Sequence, residues 1–123
     1  MENERERILR RLEAVEGRFE ELSIRITLPE VIQDAPLLQK LMREHNELME
    51  MADFAREFRR KNEAAEGARA MLDDPDLREM AREELDELEP ELDKLTQEAR
   101  LRLLPKDPDD YRNAILEVRA GAG

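Results

Sequence analysis

Apolar side chains keep one rhythm through the first part of the chain: Ile8, Leu12, Val15, Phe19 and Leu22 follow at steps of four, three, four and three. A seven-residue repeat of this kind lays a single apolar stripe along a helix, so the spacing predicts an amphipathic helix from Asn3 to Leu22. Gly17 falls inside it and weakens it by about 1 kcal/mol relative to Ala without ending it. The next stretch, residues 23–36, alternates Ile24, Ile26 and Leu28 as a short strand would, but no partner strand lies nearby in sequence. It reads as a connector with one helical turn at 29–34.

From Leu37 to Leu72 no proline intervenes after Pro36, and Leu37, Leu41, Leu48, Met51, Ala55, Phe58, Ala65 and Leu72 recur near helical spacing. A helix over this range is roughly 54 Å long at 1.5 Å per residue, which calls for an antiparallel neighbour along its length. Asp73-Asp74-Pro75-Asp76 marks the reversal: Asp74 suits an N-cap and Pro75 the first helical position. The acids just after it complement the positive end of the helix dipole. A third stripe follows in Leu77, Ala81, Leu85, Leu88, Leu92, Leu95 and Ala99. Pro90 interrupts the backbone bonding of this helix but not its apolar register, so the pattern predicts a kink near 86–90 rather than a break. Pro105 and Pro108 stop the helix by Leu104. Beyond them Asn113 to Arg119 turns strand-like, with Ile115, Leu116 and Val118. The expectation is an all-α chain: an elongated antiparallel hairpin, or three-helix coiled-coil-like bundle, with a short orphan β-like segment at its C-terminal end. Residues 1–108 form the helical domain and 109–123 the truncated first strand of a following one.

Composition narrows the chemistry. Charged residues make up 43% of the chain, aromatics 3%, and there is no cysteine, so the core is aliphatic and thin and disulfides, thiolate zinc sites and cysteine nucleophiles are excluded. No stretch is apolar enough to span a membrane, and Met1 to Arg11 is not a signal peptide. A soluble, intracellular protein is expected. The net charge of −11 is concentrated: residues 73–93 hold 11 acids and 2 bases. Such a chain repels phosphate at long range, and independent nucleic-acid binding is not expected. The one local basic spot is Arg56, Arg59, Arg60 and Lys61, of which Arg56, Arg59 and Arg60 share a helix face. It is the candidate contact for a partner, against the plainer reading of a solvated face balanced by Glu57 and Glu63.

Other constellations are weak. Glu83, Glu84, Asp86, Glu87, Glu89, Glu91 and Asp93 could in principle attract a hard cation, but they lie on a helix without the glycine turn of a calcium loop. A solvated outer face is the favoured reading. His45 is the single histidine, so a di-iron bundle is ruled out, and a serine–histidine pair could form only between His45 and Ser23, the single serine. Met42, Met49 and Met51 read as gap-filling core residues of a helix pair, in preference to an adaptable binding groove. No glycine-rich phosphate loop occurs, and no cofactor, metal or catalytic residue is expected.

Two motifs carry a resemblance. Met71-Leu72-Asp73-Asp74-Pro75-Asp76-Leu77-Arg78-Glu79-Met80-Ala81, then Leu103-Leu104-Pro105-Lys106-Asp107-Pro108-Asp109-Asp110 with Asn113-Ala114-Ile115-Leu116-Glu117-Val118-Arg119-Ala120-Gly121, resemble the bacterial release factor 1 family of class I peptide chain release factors. The motif match spans roughly residues 70–121; earlier residues share only helical pattern and length. The resemblance implies translation termination in the cytoplasm, through the helical N-terminal domain and the first strand of the domain after it. In that family the helical arm points toward the stalk base of the large ribosomal subunit and helps to dock the methyltransferase that modifies the release factor's glutamine. Stop codons are read by a Pro-x-Thr tripeptide and hydrolysis uses a Gly-Gly-Gln loop; neither occurs in these 123 residues, so the chain is expected to be non-enzymatic by itself. The family continues with Gly-Thr-Gly-Gly where this sequence has Gly121-Ala122-Gly123. The competing reading is a free-standing coiled-coil interaction or scaffold module.

Overall fold

The structure, a computed structural model, describes residues 2–103, and among these it holds four helices and no strand. Helix α1 spans Glu4–Arg25, the single turn α2 spans Pro29–Ile32, α3 spans Ala35–Met71 and α4 spans Arg78–Leu103. The all-α expectation holds. The strand expected within 109–123, and with it the domain boundary at 108, lies outside the described residues.

Each start has a local cause. Asn3 accepts a bond from the Glu6 amide at 2.8 Å while the Glu6 carboxylate accepts from the Asn3 amide at 2.8 Å, a reciprocal pair that satisfies two free donors of α1. Pro29 opens α2, and the Asp34 side chain caps α3 by accepting from the Leu37 amide at 3.2 Å. The reversal between α3 and α4 is longer than the sequence suggests. The Asp74 carboxylate does bond the Asp76 amide, at 2.9 Å, but Asp74 to Leu77 closes a separate turn with its own 3.0 Å backbone bond, and α4 starts at Arg78. Asp74 therefore caps a turn rather than the helix itself. Pro90 sits inside α4 as one continuous helix, on its exposed side, where water can satisfy the carbonyl left without a partner.

The 37 residues of α3 make it roughly 55 Å long, and both other long helices pack on it antiparallel. The N-terminal half of α1 and the whole of α4 flank its C-terminal half. The C-terminal half of α1, with α2, covers its N-terminal half. The core is correspondingly split. Ile8, Leu12, Phe54, Ala55, Phe58, Leu95 and Ala99 pack together at the three-helix end, whereas Leu22, Val31 and Leu41 form a smaller cluster at the two-helix end. Among the described residues no helix is long and apolar enough to cross a membrane.

Candidate interaction surface

The four cations singled out by sequence do not act as one patch. Arg59 reaches across to α1 and grips Glu16 with two bonds, Nε to Oε2 at 3.0 Å and Nη2 to Oε1 at 2.9 Å. Arg56 stands 4.0 Å from the same carboxylate, pairs with Asp53 at 3.1 Å and lies 5.6 Å from the centre of the Phe19 ring. Lys61 turns the other way, to Glu91 of α4 at 2.8 Å. Arg60 is exposed and makes no ion pair among the described residues. The balancing acids of Arg59 and Lys61 are thus chiefly on other helices, with Glu63 3.9 Å from Arg59 as a weak local partner, whereas Arg56 pairs within its own helix with Asp53.

Glu16 is the residue that sequence reading missed. It is 8% exposed, in the middle of the α1 stripe, four residues after Leu12 and three before Phe19. The bonds from Arg59, aided by the nearby charge of Arg56, hold its carboxyl below the ordinary glutamate value despite burial. An acid at a stripe position three or four residues from apolar neighbours was the available signal.

His45 and Ser23 do come together. The Ser23 Oγ lies 2.9 Å from His45 Nε2, and the imidazole stacks on Phe19 with ring centres 4.3 Å apart. The arrangement does not make a nucleophile. Ser23 Oγ also bonds the Phe19 carbonyl of its own helix at 3.0 Å, and the Ser23 and Ile24 amides belong to the bonded interior of α1, so no donor pair is aimed at a developing oxyanion. The three side chains form a lateral contact between α1 and α3.

The acidic run of α4 divides in two. Glu89 is shared by Arg5 of α1 at 3.1 Å and Arg69 of α3, Asp93 pairs with Arg5 at 2.9 Å, and Glu91 with Lys61. Burial alone would raise the Glu89 carboxyl, but bonds from Arg69 and Arg5 outweigh it and leave it lowered. Glu83, Glu84, Asp86 and Glu87 are solvated or half-solvated without a cation partner among the described residues, as a water-facing surface requires. Arg100 closes the same end with two bonds to Glu4, at 2.6 and 2.7 Å, and Arg11 bonds the Leu103 carbonyl at 3.0 Å. No group of three or more histidine, aspartate or glutamate side chains among the described residues is arranged to hold a metal ion.

One sequence expectation is overturned. Met51 does pack against the core, but Met42 is 45% and Met49 43% exposed. Seven residues apart on α3, they share a face turned away from α1, at the level where α4 has already ended its described course. Two adjoining concavities of about 490 and 380 Å³ lie beside Met42, both bordered by Gln39 and Met42, and Ile32 stands 53% exposed at the edge of the second.

Comparison with known proteins adds identity to this geometry. Residues 15–123 match the family model described as the PCRF domain. Similar relatives are the Peptide chain release factor 1 of Geobacter metallireducens, 43% identical over 113 residues, that of a Geobacillus species, 43% over 116, and that of Bacillus licheniformis, 39% over 119. These alignments cover 92%, 92% and 94% of this chain but only 32%, 32% and 33% of the relatives, so the chain spans about a third of their length. They include the early helices that the sequence motifs alone did not reach. No solved structure matches.

Proposed function

This chain belongs to the PCRF-domain family of peptide chain release factors, and from that premise we propose that it acts in translation termination as the docking arm of such a factor. The observation that carries the reading is 43% identity to a Peptide chain release factor 1 across 92% of the chain. The architecture is suited to that work: a helix of roughly 55 Å, braced on both sides by ion-paired helices, is a stiff spacer. In the same reading the arm carries no chemistry itself. Stop-codon reading and peptidyl-tRNA hydrolysis belong to sequence of the Pro-x-Thr and Gly-Gly-Gln kind, which these 123 residues do not contain.

The arm's partners are the ribosome, at the stalk base of the large subunit, and the methyltransferase that modifies the release factor's glutamine; its place of action is the cytoplasm. Of the cations between residues 56 and 61, Arg60 is the one free to reach a partner, because Arg56, Arg59 and Lys61 are engaged within the bundle. A release assay on ribosomes stalled at a stop codon tests the reading. The chain alone gives no peptide release, and in excess it slows release by a full-length factor. Stop-codon-dependent release by the chain alone overturns the proposal.

A further inference from the structure

A second basic spot is assembled by packing. Arg7, Arg10 and Arg11 of α1 meet Arg100 of α4 around a concavity of about 310 Å³, with Ile8 and Leu103 also in its wall. Two carboxylates answer these four guanidinium groups: Glu4 accepts both bonds of Arg100, and Glu2 pairs with Arg10. Arg7 and Arg11 are exposed and have no carboxylate partner among the described residues. Each bonds a backbone carbonyl instead, Arg7 that of Glu2 and Arg11 that of Leu103, both at 3.0 Å. In a chain of net charge −11 this is a local surplus of positive charge. The bond from Arg11 also pins the end of α4, so the chain leaves the described helices at the rim of the concavity.

We propose that this concavity receives Asp107, Asp109 and Asp110 of the chain's own next segment, which lies outside the described residues, and that the contact sets the direction in which the chain leaves the bundle. The proposal goes beyond the docking-arm reading and does not rest on it. Reach permits the contact. At about 3.3–3.6 Å per extended residue, Asp107 falls within roughly 14 Å of Leu103 and Asp110 within roughly 25 Å. Arg7 and Arg11 are only about 6 Å apart along α1. Pro105 disfavours helical backbone at Leu104, so the segment is not carried away along the axis of α4. Chemistry favours the contact as well: a carboxylate accepts two parallel bonds from a guanidinium fork, and Asp107 to Asp110 holds three acids in four residues. An RNA backbone would suit the same forks. A separate polyanion, however, is repelled by the whole chain as it approaches, whereas a segment on a short tether is present at millimolar effective concentration.

The test is ¹⁵N relaxation on the full chain near neutral pH, read at the amides of Lys106, Asp107, Asp109 and Asp110. In the wild-type chain these amides have order parameters of about 0.85, like those of α4. They fall below about 0.6 in Arg7→Gln/Arg11→Gln, and equally in Asp107→Asn/Asp109→Asn/Asp110→Asn, which leaves every helix residue in place. Charge exchange gives the reciprocal check: Arg7→Asp/Arg11→Asp loses the order, and adding Asp109→Arg/Asp110→Arg regains it. Order below about 0.6 in the wild-type chain overturns the proposal. So does order that survives the arginine substitutions while the thermal transition stays in place. Displacement of the segment by an equimolar single-stranded RNA oligonucleotide also overturns it, and makes the concavity a phosphate site.

Discussion

Where α1 begins, α3 ends and α4 lies alongside, Phe58 is wholly buried among side chains from three helices, and Arg5, Arg69 and Arg100 tie those helices together at the rim. At the opposite end Leu22, Val31 and Leu41 are equally hidden, but they are covered by one helix, one helical turn and a half-buried fringe of Leu28, Leu37, Leu38 and Leu48. Arg18 clasps Glu44 with bonds of 2.7 and 2.8 Å there, yet among the described residues this is the one ion pair between helices at that end, where the other end has several. The same helix thus runs from a sealed region into one that leaves apolar surface facing outward. Local opening free energies follow the number of buried contacts, so the two-helix end is the softer of the two.

The largest separation of the two ends comes from core truncation. Phe58→Ala removes the biggest fully buried side chain and costs about 3–5 kcal/mol, lowering the whole thermal transition. Leu41→Ala costs less, toward the lower part of about 2–5 kcal/mol, because a thin two-layer cluster can close over the gap. Hydrogen exchange distinguishes them further: Phe58→Ala raises exchange throughout the chain, Leu41→Ala chiefly in α2 and the first turns of α3. Equal and global effects of both substitutions would make the ends one cooperative unit.

Next in size is the lock near the junction. Glu16→Gln takes the charge from a carboxylate held by Arg59 across α1 and α3, and it costs about 1–3 kcal/mol by chemical denaturation. The pH dependence has the same origin. Arg59 lowers Glu16, Arg100 lowers Glu4 and Arg18 lowers Glu44, while Glu89 stays lowered under Arg69 and Arg5. A carboxyl lowered on folding contributes its full stabilisation above its unfolded value, about 4.5, and loses it as pH falls from there through the folded value. The melting temperature is therefore expected not to fall between about pH 7 and pH 5.5 and to drop below about pH 4.5. Glu16→Gln flattens that acid limb, and an unchanged limb in the variant would remove Glu16 from the account.

How much of this was legible in the sequence depends on how many faces a helix buries. Helix α4 turns one face to both α3 and α1, and the stripe from Leu77 to Ala99 is found buried or half-buried throughout. Helix α3 meets α1 on one side and α4 on another, so its apolar positions wrap around it; Phe54, Ala52 and Ala68 are buried although a single stripe does not include them. The same wrapping misled the reading of Met42 and Met49, which keep helical spacing on a face that no described helix covers. Pairing between helices was illegible for a different reason. Arg56, Arg59 and Lys61 were matched with Glu57 and Glu63 because those are near in sequence, whereas Glu16, 43 residues from Arg59, and Glu91, 30 from Lys61, became neighbours only through the antiparallel packing.

The smallest effect tests whether the two ends communicate. Gly17 follows the Glu16 lock and precedes the Arg18 clamp, so it occupies the step of α1 between the sealed region and the open one. A Cβ built there meets nothing within 4 Å, and the residue lies inside a regular helix, so an alanine adds no clash. Gly17→Ala is expected to raise stability by about 0.5–1 kcal/mol, mainly by reducing the freedom of the unfolded chain. Its distribution is the informative part. If α1 transmits order from one end to the other, the substitution slows amide exchange in residues 18–25 and in the facing turns of α3 around Leu41, narrowing the difference between the ends. A gain confined to global unfolding, with exchange at Leu22 and Leu41 unaltered, means that the open end moves independently of the bundle that carries it.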